Sequence, residues 1–219
     1  PGAHLTEEDV RVTWAGLRPL LAGRTGSDAS SVSREHAVVT GPAGMVTVAG
    51  GKLTTYRSMA AEVVDEVVKR LGQRTPRAPT DVEPLPGGET GDFESFRRRG
   101  AELGLPAAVA DHLVRHYGAE AAGIYNLGVA DRALFERLHP AHPALEAEVI
   151  HAARRELAQT VEDVLLRRIH LYYETRDRGL RAADRTAQLL GRELGWNEER
   201  TRAEADRFRA FVAAEPRTV

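Results

Sequence analysis

Val48-Ala49-Gly50-Gly51-Lys52-Leu53-Thr54-Thr55-Tyr56-Arg57 reads as a strand that turns through two glycines straight into a helix. Consecutive glycines give the backbone angles that other residues avoid and let it approach a ligand closely. The first turn of the following helix offers unpaired N–H groups and the positive end of its dipole, so an electron-rich ligand is expected at Gly50, Gly51, Lys52, Leu53 and Thr54. A plain tight connection would show the same local pattern. Lysine usage bears on the choice, because of 30 basic residues only Lys52 and Lys69 are lysines. A compact ammonium differs from a planar guanidinium in reach and hydration, which fits a chemical use of Lys52.

Working outward, residues 45–49 are the strand that feeds the motif, and Thr40-Gly41-Pro42-Ala43-Gly44 is a turn. Residues 32–39 alternate so that Val32, Arg34, His36 and Val38 share one face. Residues 12–17 suit a further strand, at whose end Pro19 holds Arg18 extended, and residues 6–9 suit a short capped helix. On the other side of the motif, Met59, Val63 and Val67 with Ala60, Val64, Val68 and Leu71 form a helical stripe that packs on a sheet, and Gly72 stops it. Residues 73–91 are rich in proline, glycine and polar residues, the composition of a linker. Helical patterns follow over 92–103, 106–117, 120–127, 144–157, 161–175, 180–194 and 197–212. The expected fold is α+β, with strands and a helix after a Gly-Gly turn in residues 1–72, a linker over 73–91, and an all-α domain over 92–219.

A chain of 219 residues, 42% hydrophobic, with a net charge of −2, buries a substantial core. The near-neutral balance argues against a dedicated nucleic-acid or anionic-membrane binder. With no cysteine, disulfide scaffolds, thiolate metal sites and cysteine nucleophiles are excluded. No apolar run reaches the roughly 20 residues of a membrane helix, and no signal peptide is visible. The chain begins Pro1-Gly2-Ala3-His4 without an initiator methionine, so a piece of a longer protein is expected.

Other candidate constellations are weaker. His112 and His116 stand four apart on a helix but lack a His-Glu-x-x-His glutamate and a third ligand, so no metal is expected. Arg97-Arg98-Arg99 reads as a solvated helix face, and Arg154-Arg155 and Arg167-Arg168 as surface ion pairs with acids such as Glu156, Glu162 and Asp163. Arg18, Arg34 and Lys52 lie on elements expected to share a sheet, and guanidinium forks suit a small phosphate or carboxylate. Ion pairing of the two arginines with acids such as Glu35 is the alternative. No Ser-His-Asp or paired-carboxylate arrangement supports hydrolysis.

Three motifs in order, Trp14-Ala15-Gly16-Leu17-Arg18-Pro19-Leu20, Ser33-Arg34-Glu35-His36 and Ala49-Gly50-Gly51-Lys52-Leu53-Thr54-Thr55-Tyr56-Arg57-Ser58-Met59-Ala60, resemble the C-terminal part of FAD-dependent glycerol-3-phosphate dehydrogenase, the respiratory enzyme. The likeness continues through Glu148-Val149 to Arg168 and Glu193-Leu194-Gly195-Trp196, which is similar to that family's helical C-terminal domain. The resemblance implies oxidation of sn-glycerol 3-phosphate to dihydroxyacetone phosphate by hydride transfer to FAD, with electrons passed to quinone. It implies Arg18 and Arg34 as holders of the substrate phosphate, and Gly50, Gly51, Lys52, Leu53 and Thr54 as the lining of the flavin's pyrimidine edge. Lys52 is the implied electrostatic catalyst, and His36 a candidate for substrate binding or proton transfer.

The family's glycine-rich dinucleotide motif is absent, so the remainder of the FAD site is expected in a missing N-terminal part and the fragment is expected to be inactive alone. A cytoplasmic enzyme, peripheral on the inner face of the cell membrane, and a homodimer are compatible with the resemblance. The alternatives are an oxidase that passes electrons to oxygen, and a helical interaction or oligomerisation module independent of flavin chemistry.

Overall fold

The computed structural model describes residues 4–17, 36–89 and 91–214. The chain forms two compact units, one of Ala15–Pro84 and one of Pro1–Trp14 together with Leu85–Val219.

In the smaller unit, β1 (His36–Thr40) and β2 (Val46–Gly50) are antiparallel, in a register that runs from His36 opposite Gly50 to Thr40 opposite Val46. Helix α1 (Tyr56–Arg70) packs on both strands. It does not begin at the glycines as the sequence pattern implies. Lys52 is extended (φ −117°, ψ 150°), and Thr55 then draws the chain into a tight 3-10 turn, Leu53–Thr55: its N–H and its hydroxyl donate to the Lys52 carbonyl at 3.1 and 3.0 Å. The apolar stripe of α1 faces the sheet without becoming buried, and Val64 and Leu71 remain 53% and 64% exposed. Polar ties supplement this packing. Arg70 bonds Thr40 at the end of β1, and Arg57 donates to Thr80 Oγ1 at 2.9 Å and to the Glu83 carbonyl at 2.6 Å.

The larger unit contains α2 (Phe93–Glu102), α3 (Ala107–Tyr117), α4 (Ala121–Ala130), α5 (Glu146–Arg155), α6 (Leu171–Glu174), α7 (Ala183–Leu194) and α8 (Glu198–Ala214). Local chemistry sets several of these ends. Asp92 caps α2 by accepting the Glu94 N–H at 3.0 Å, and Asn197 Oδ1 accepts the Arg200 N–H at 2.8 Å at the start of α8. Helix α5 is enclosed, with every residue from 146 to 153 buried. One core cluster gathers α5, α7 and α8 around Leu165, Leu190 and Phe208, and a second gathers α3 and α4 around Leu113, Ile124 and Tyr125.

Three expectations change on this scaffold. Residues 12–17 form no strand. Within the described residues 4–14, Val12 packs on the helical core, Trp14 meets the Tyr173 ring edge-on at 5.6 Å, and Arg11 bonds the Glu174 carbonyl. Val12 is the apolar anchor of this arm, since Trp14 remains 78% exposed. The helix expected over 161–175 is broken into a π-helical turn, Asp163–Arg168, and the short α6. The Ile169 N–H reaches back to the Val164 carbonyl at 2.8 Å, and His170 takes a left-handed conformation (φ 62°). The expected linker region divides between the two units, its residues up to Pro84 in one and those from Leu85 in the other. Pro79–Asp81 is a turn tied to α1, whereas the Gly87 carbonyl accepts the Ala119 N–H at 2.9 Å in the helical unit. There the backbones touch: a Cβ on Gly118 (φ +56°) would lie 2.0 Å from the Gly87 oxygen, which leaves room for glycine alone.

Among the described residues no helix is long and apolar enough to cross a membrane.

Candidate functional site

The Gly-Gly turn sits where β2 leaves the sheet. Gly50 and Gly51 both have positive φ, 77° and 83°. A Cβ on Gly51 would come within 2.6 Å of Met59 Sδ and 3.1 Å of His36 Cβ, so this backbone is pressed against the side of α1 and the end of β1. A residue with a side chain would have to accept a strained conformation and displace Met59. Thr55 Oγ1 lies 3.6 Å from the same sulfur, which locks the turn to the first coil of α1.

The glycines carry the chain into an exposed arc formed by Lys52, Leu53 and Thr54. The Thr55 N–H is spent on the Lys52 carbonyl, but among the described residues the N–H groups of Leu53 and Thr54 have no acceptor. Lys52 likewise pairs with no carboxylate among the described residues. Among the described residues, then, two backbone donors and a lysine on consecutive exposed residues meet no anion, the arrangement that favours an electron-rich ligand.

His36 stands at the strand end directly opposite Gly50. Its Nε2 lies 2.8 Å from Glu62 Oε2 on α1, a half-buried imidazole against a more exposed carboxylate. This pair is a feature that sequence reading missed, since nothing in the α1 stripe marks Glu62 as the partner of a residue 26 positions earlier. The structure thus brings Gly50, Gly51, Lys52, Leu53, Thr54 and His36 together. Arg18 and Arg34, the expected phosphate holders, lie outside the described residues.

In the helical unit the other candidates resolve into structural partners. Arg97 pairs with Glu94 and Asp111, Arg98 with Asp92, and Arg99 with Glu102. Arg167 takes Glu162 and Asp163, and Arg168 lies near Glu156, as the spacing implies, whereas Arg154 reaches across to Glu193. Among the described residues no group of histidines and acids could hold a metal ion. His112 instead meets Glu148 at 2.9 Å, and the Tyr117 hydroxyl donates to the same carboxylate oxygen at 2.9 Å. Burial and the charge of Glu148 push the Tyr117 pKa well up, so it remains a donor.

Comparison with known proteins adds a second line. A family described as the C-terminal domain of alpha-glycerophosphate oxidase matches residues 78–201. Glycerol-3-phosphate dehydrogenase 2 of Mycobacterium bovis is 36% identical over 214 residues, which cover 96% of this chain and 36% of that protein. Glycerol-3-phosphate dehydrogenase of Synechocystis is 33% identical over 227 residues, covering 97% of this chain and 39% of the relative. The chain therefore spans little more than a third of the length of these relatives. In fold it is similar to the structure of glycerol-3-phosphate dehydrogenase from Bacillus halodurans complexed with FAD, with a TM-score of 0.74 at 24% identity over 95% of this chain and 41% of that one.

Proposed function

The chain belongs to the glycerol-3-phosphate oxidase/dehydrogenase family, and from that premise we propose that its Gly-Gly turn lines the pyrimidine edge of FAD in an enzyme that oxidises sn-glycerol 3-phosphate to dihydroxyacetone phosphate. The observation that carries the reading is the exposed arc in which, among the described residues, the Leu53 and Thr54 N–H groups find no acceptor and Lys52 no carboxylate. It fits the group: a flavin presents carbonyl oxygens and a ring nitrogen along that edge and gathers negative charge there on reduction. FAD, when bound, supplies the two-electron acceptor for the substrate's secondary alcohol. Preorganised donors that meet charge as it develops favour the transition state over the ground state, and this is the role of Lys52 and the two amides.

The bare Gly51 backbone lets the turn press against Met59 and His36, which fixes the course of the exposed arc that follows. Arg18 and Arg34 hold the substrate phosphate through paired hydrogen bonds. His36, its orientation set by Glu62, binds the substrate or takes the hydroxyl proton. The rest of the FAD site belongs to sequence corresponding to the remaining length of the relatives. Electrons leave to quinone, and the helical unit adds no reacting group in this scheme.

The experiment is Lys52→Met in a protein that also carries the relatives' remaining length. Flavin content is read from absorbance, and turnover is measured with glycerol 3-phosphate and either a quinone analogue or oxygen. The expected result is flavin retained with kcat lowered on the order of 100-fold or more, the cost of deleting one preorganised donor to developing charge. Turnover within twofold of the parent would overturn the role of Lys52. The 219-residue chain alone is expected to be colourless, and a flavin-bearing preparation of it would overturn the shared site.

A further inference from the structure

Four histidine rings that the proposed reaction does not use form a row in the helical unit. His142, His112, His116 and His170 have successive centroids 5.2, 5.4 and 5.5 Å apart. They come from three pieces of chain: His112 and His116 lie one turn apart on α3, His142 lies in the connection that leads into α5, and His170 is the left-handed residue before α6.

The backbone assigns most of the protons in this row. The Ala144 N–H donates to His142 Nδ1 at 3.1 Å, so that nitrogen presents a lone pair, and Nε2–H donates to Glu174 Oε2 at 2.9 Å. His142 is therefore neutral. Nearby His139 repeats the device, with the Ala141 N–H on its Nδ1 at 3.1 Å and Asp177 on its Nε2 at 3.1 Å. At His116 the partner of Nε2 is the Arg168 carbonyl, 2.7 Å away, which only accepts, so Nε2 carries a hydrogen.

His112 differs. Its Nε2 faces Glu148 Oε2, which also accepts the Tyr117 hydroxyl, while Glu148 Oε1 accepts the Leu145 N–H at 2.7 Å. Glu148 is 0% exposed and accepts from the Tyr117 hydroxyl and the Leu145 N–H beside His112, so a proton added to the row is best stabilised at His112. Burial works against that charge, but the hydrogen bond and charge of Glu148, with Glu174 and Asp111 adding, carry the His112 pKa above the ordinary histidine value. His142 is depressed by burial and by the charge on His112, against the pull of Glu174 and Glu148. His170 is depressed by burial and by His116, against Glu174.

We infer that this row is a pH-sensitive joint: it clamps residues 139–145 and the turn at His170 onto α3 while His142 stays neutral beside His112, and it releases the 139–145 connection when a proton enters at His142. A proton on His142 Nδ1 sets one N–H against another, that of Ala144, and places a second cation beside the His112 ring. The folded form excludes protons from His142 and His170 that the unfolded chain takes up, so stability falls as pH drops below the ordinary histidine value of about 6.5. His112 acts in the opposite direction. Its contribution is complete below that value and is lost as pH rises through its elevated folded pKa. The joint is tightest between these limits.

Amide hydrogen exchange of the 219-residue chain, resolved by residue and corrected for intrinsic pH dependence, tests the joint. From pH 6.5 to 5 the protection of the Ala144 N–H is expected to fall on the order of tenfold, the loss of a buried hydrogen bond, while amides of α7 and α8 keep theirs. In His142→Gln the Ala144 protection is expected to be low and independent of pH over that range. Unchanged Ala144 protection down to pH 5 would overturn the joint. So would a fall in step with α7 and α8, or a step that persists in His142→Gln.

Discussion

The two units solve the same packing problem to very different degrees. In the helical unit whole side chains vanish from solvent: Leu113, Ile124, Leu165, Leu190 and Phe208 are 0% exposed, and even Glu148 is enclosed among donors. In the strand-and-helix unit no described residue is buried, and apolar Leu53, Met45 and Val39 are 87%, 60% and 54% exposed. A two-stranded hairpin needs a covering element to be stable, and among the described residues α1 is the one that packs on it. The helical unit is thus organised around its own interior, whereas among the described residues the other is tied by backbone geometry, a few polar bonds and a sulfur contact, with the Lys52–Thr54 arc exposed.

The comparison can be broken at three points. Glu148→Ala removes the common acceptor of His112, Tyr117 and the Leu145 amide. Stranding these buried donors is expected to cost about 3–5 kcal/mol in denaturant unfolding, and a loss below about 1 kcal/mol would mean that water or another group satisfies them. Leu113→Ala, at a fully enclosed position, is expected to cost roughly 2–5 kcal/mol, whereas Val67→Ala on α1, 38% exposed, should cost less than about 1 kcal/mol. Equal losses would show that α1 is far better covered in solution than its exposure implies. Gly51→Ala, forced into φ +83° against Met59, carries a strain of about 1–3 kcal/mol. It is expected to leave the main unfolding transition of the helical unit in place while flavin retention falls in a protein with the relatives' remaining length. A shift of that main transition would couple the two units more tightly than their separate interiors require.

Legibility in the sequence follows the range of the interactions. Helices α2, α3, α7 and α8 and the Gly-Gly turn were readable because their marks are local: the Asp92 and Asn197 caps, apolar spacing at 3.6 residues, and adjacent glycines. Residues 12–17 were not, since alternation does not separate a strand from an arm whose Val12 and Trp14 dock on a helical body. The break at His170 carries no glycine or proline to announce it. The partners of His36 and His112 lie 26 and 36 residues away, and pairing at such distances leaves no periodic trace. Lys52 stands out because lysine is scarce here, and the Gly-Gly pattern points to backbone donors at Leu53 and Thr54, whereas Glu62 is one acid among many.

The closing stretch of α8 has a practical consequence. Phe208, 0% exposed, and Val212, 8% exposed, come after residue 201, where the matched family region stops, and Trp14 on Tyr173 comes long before residue 78, where it starts. The bounds of the matched family region therefore fall short of the folded body, most plainly at its C-terminal end. A polypeptide trimmed to 78–201 would keep the recognisable signature and lose an aromatic plug from its centre, leaving an open slot that invites self-association. Any excised version needs the last helix intact.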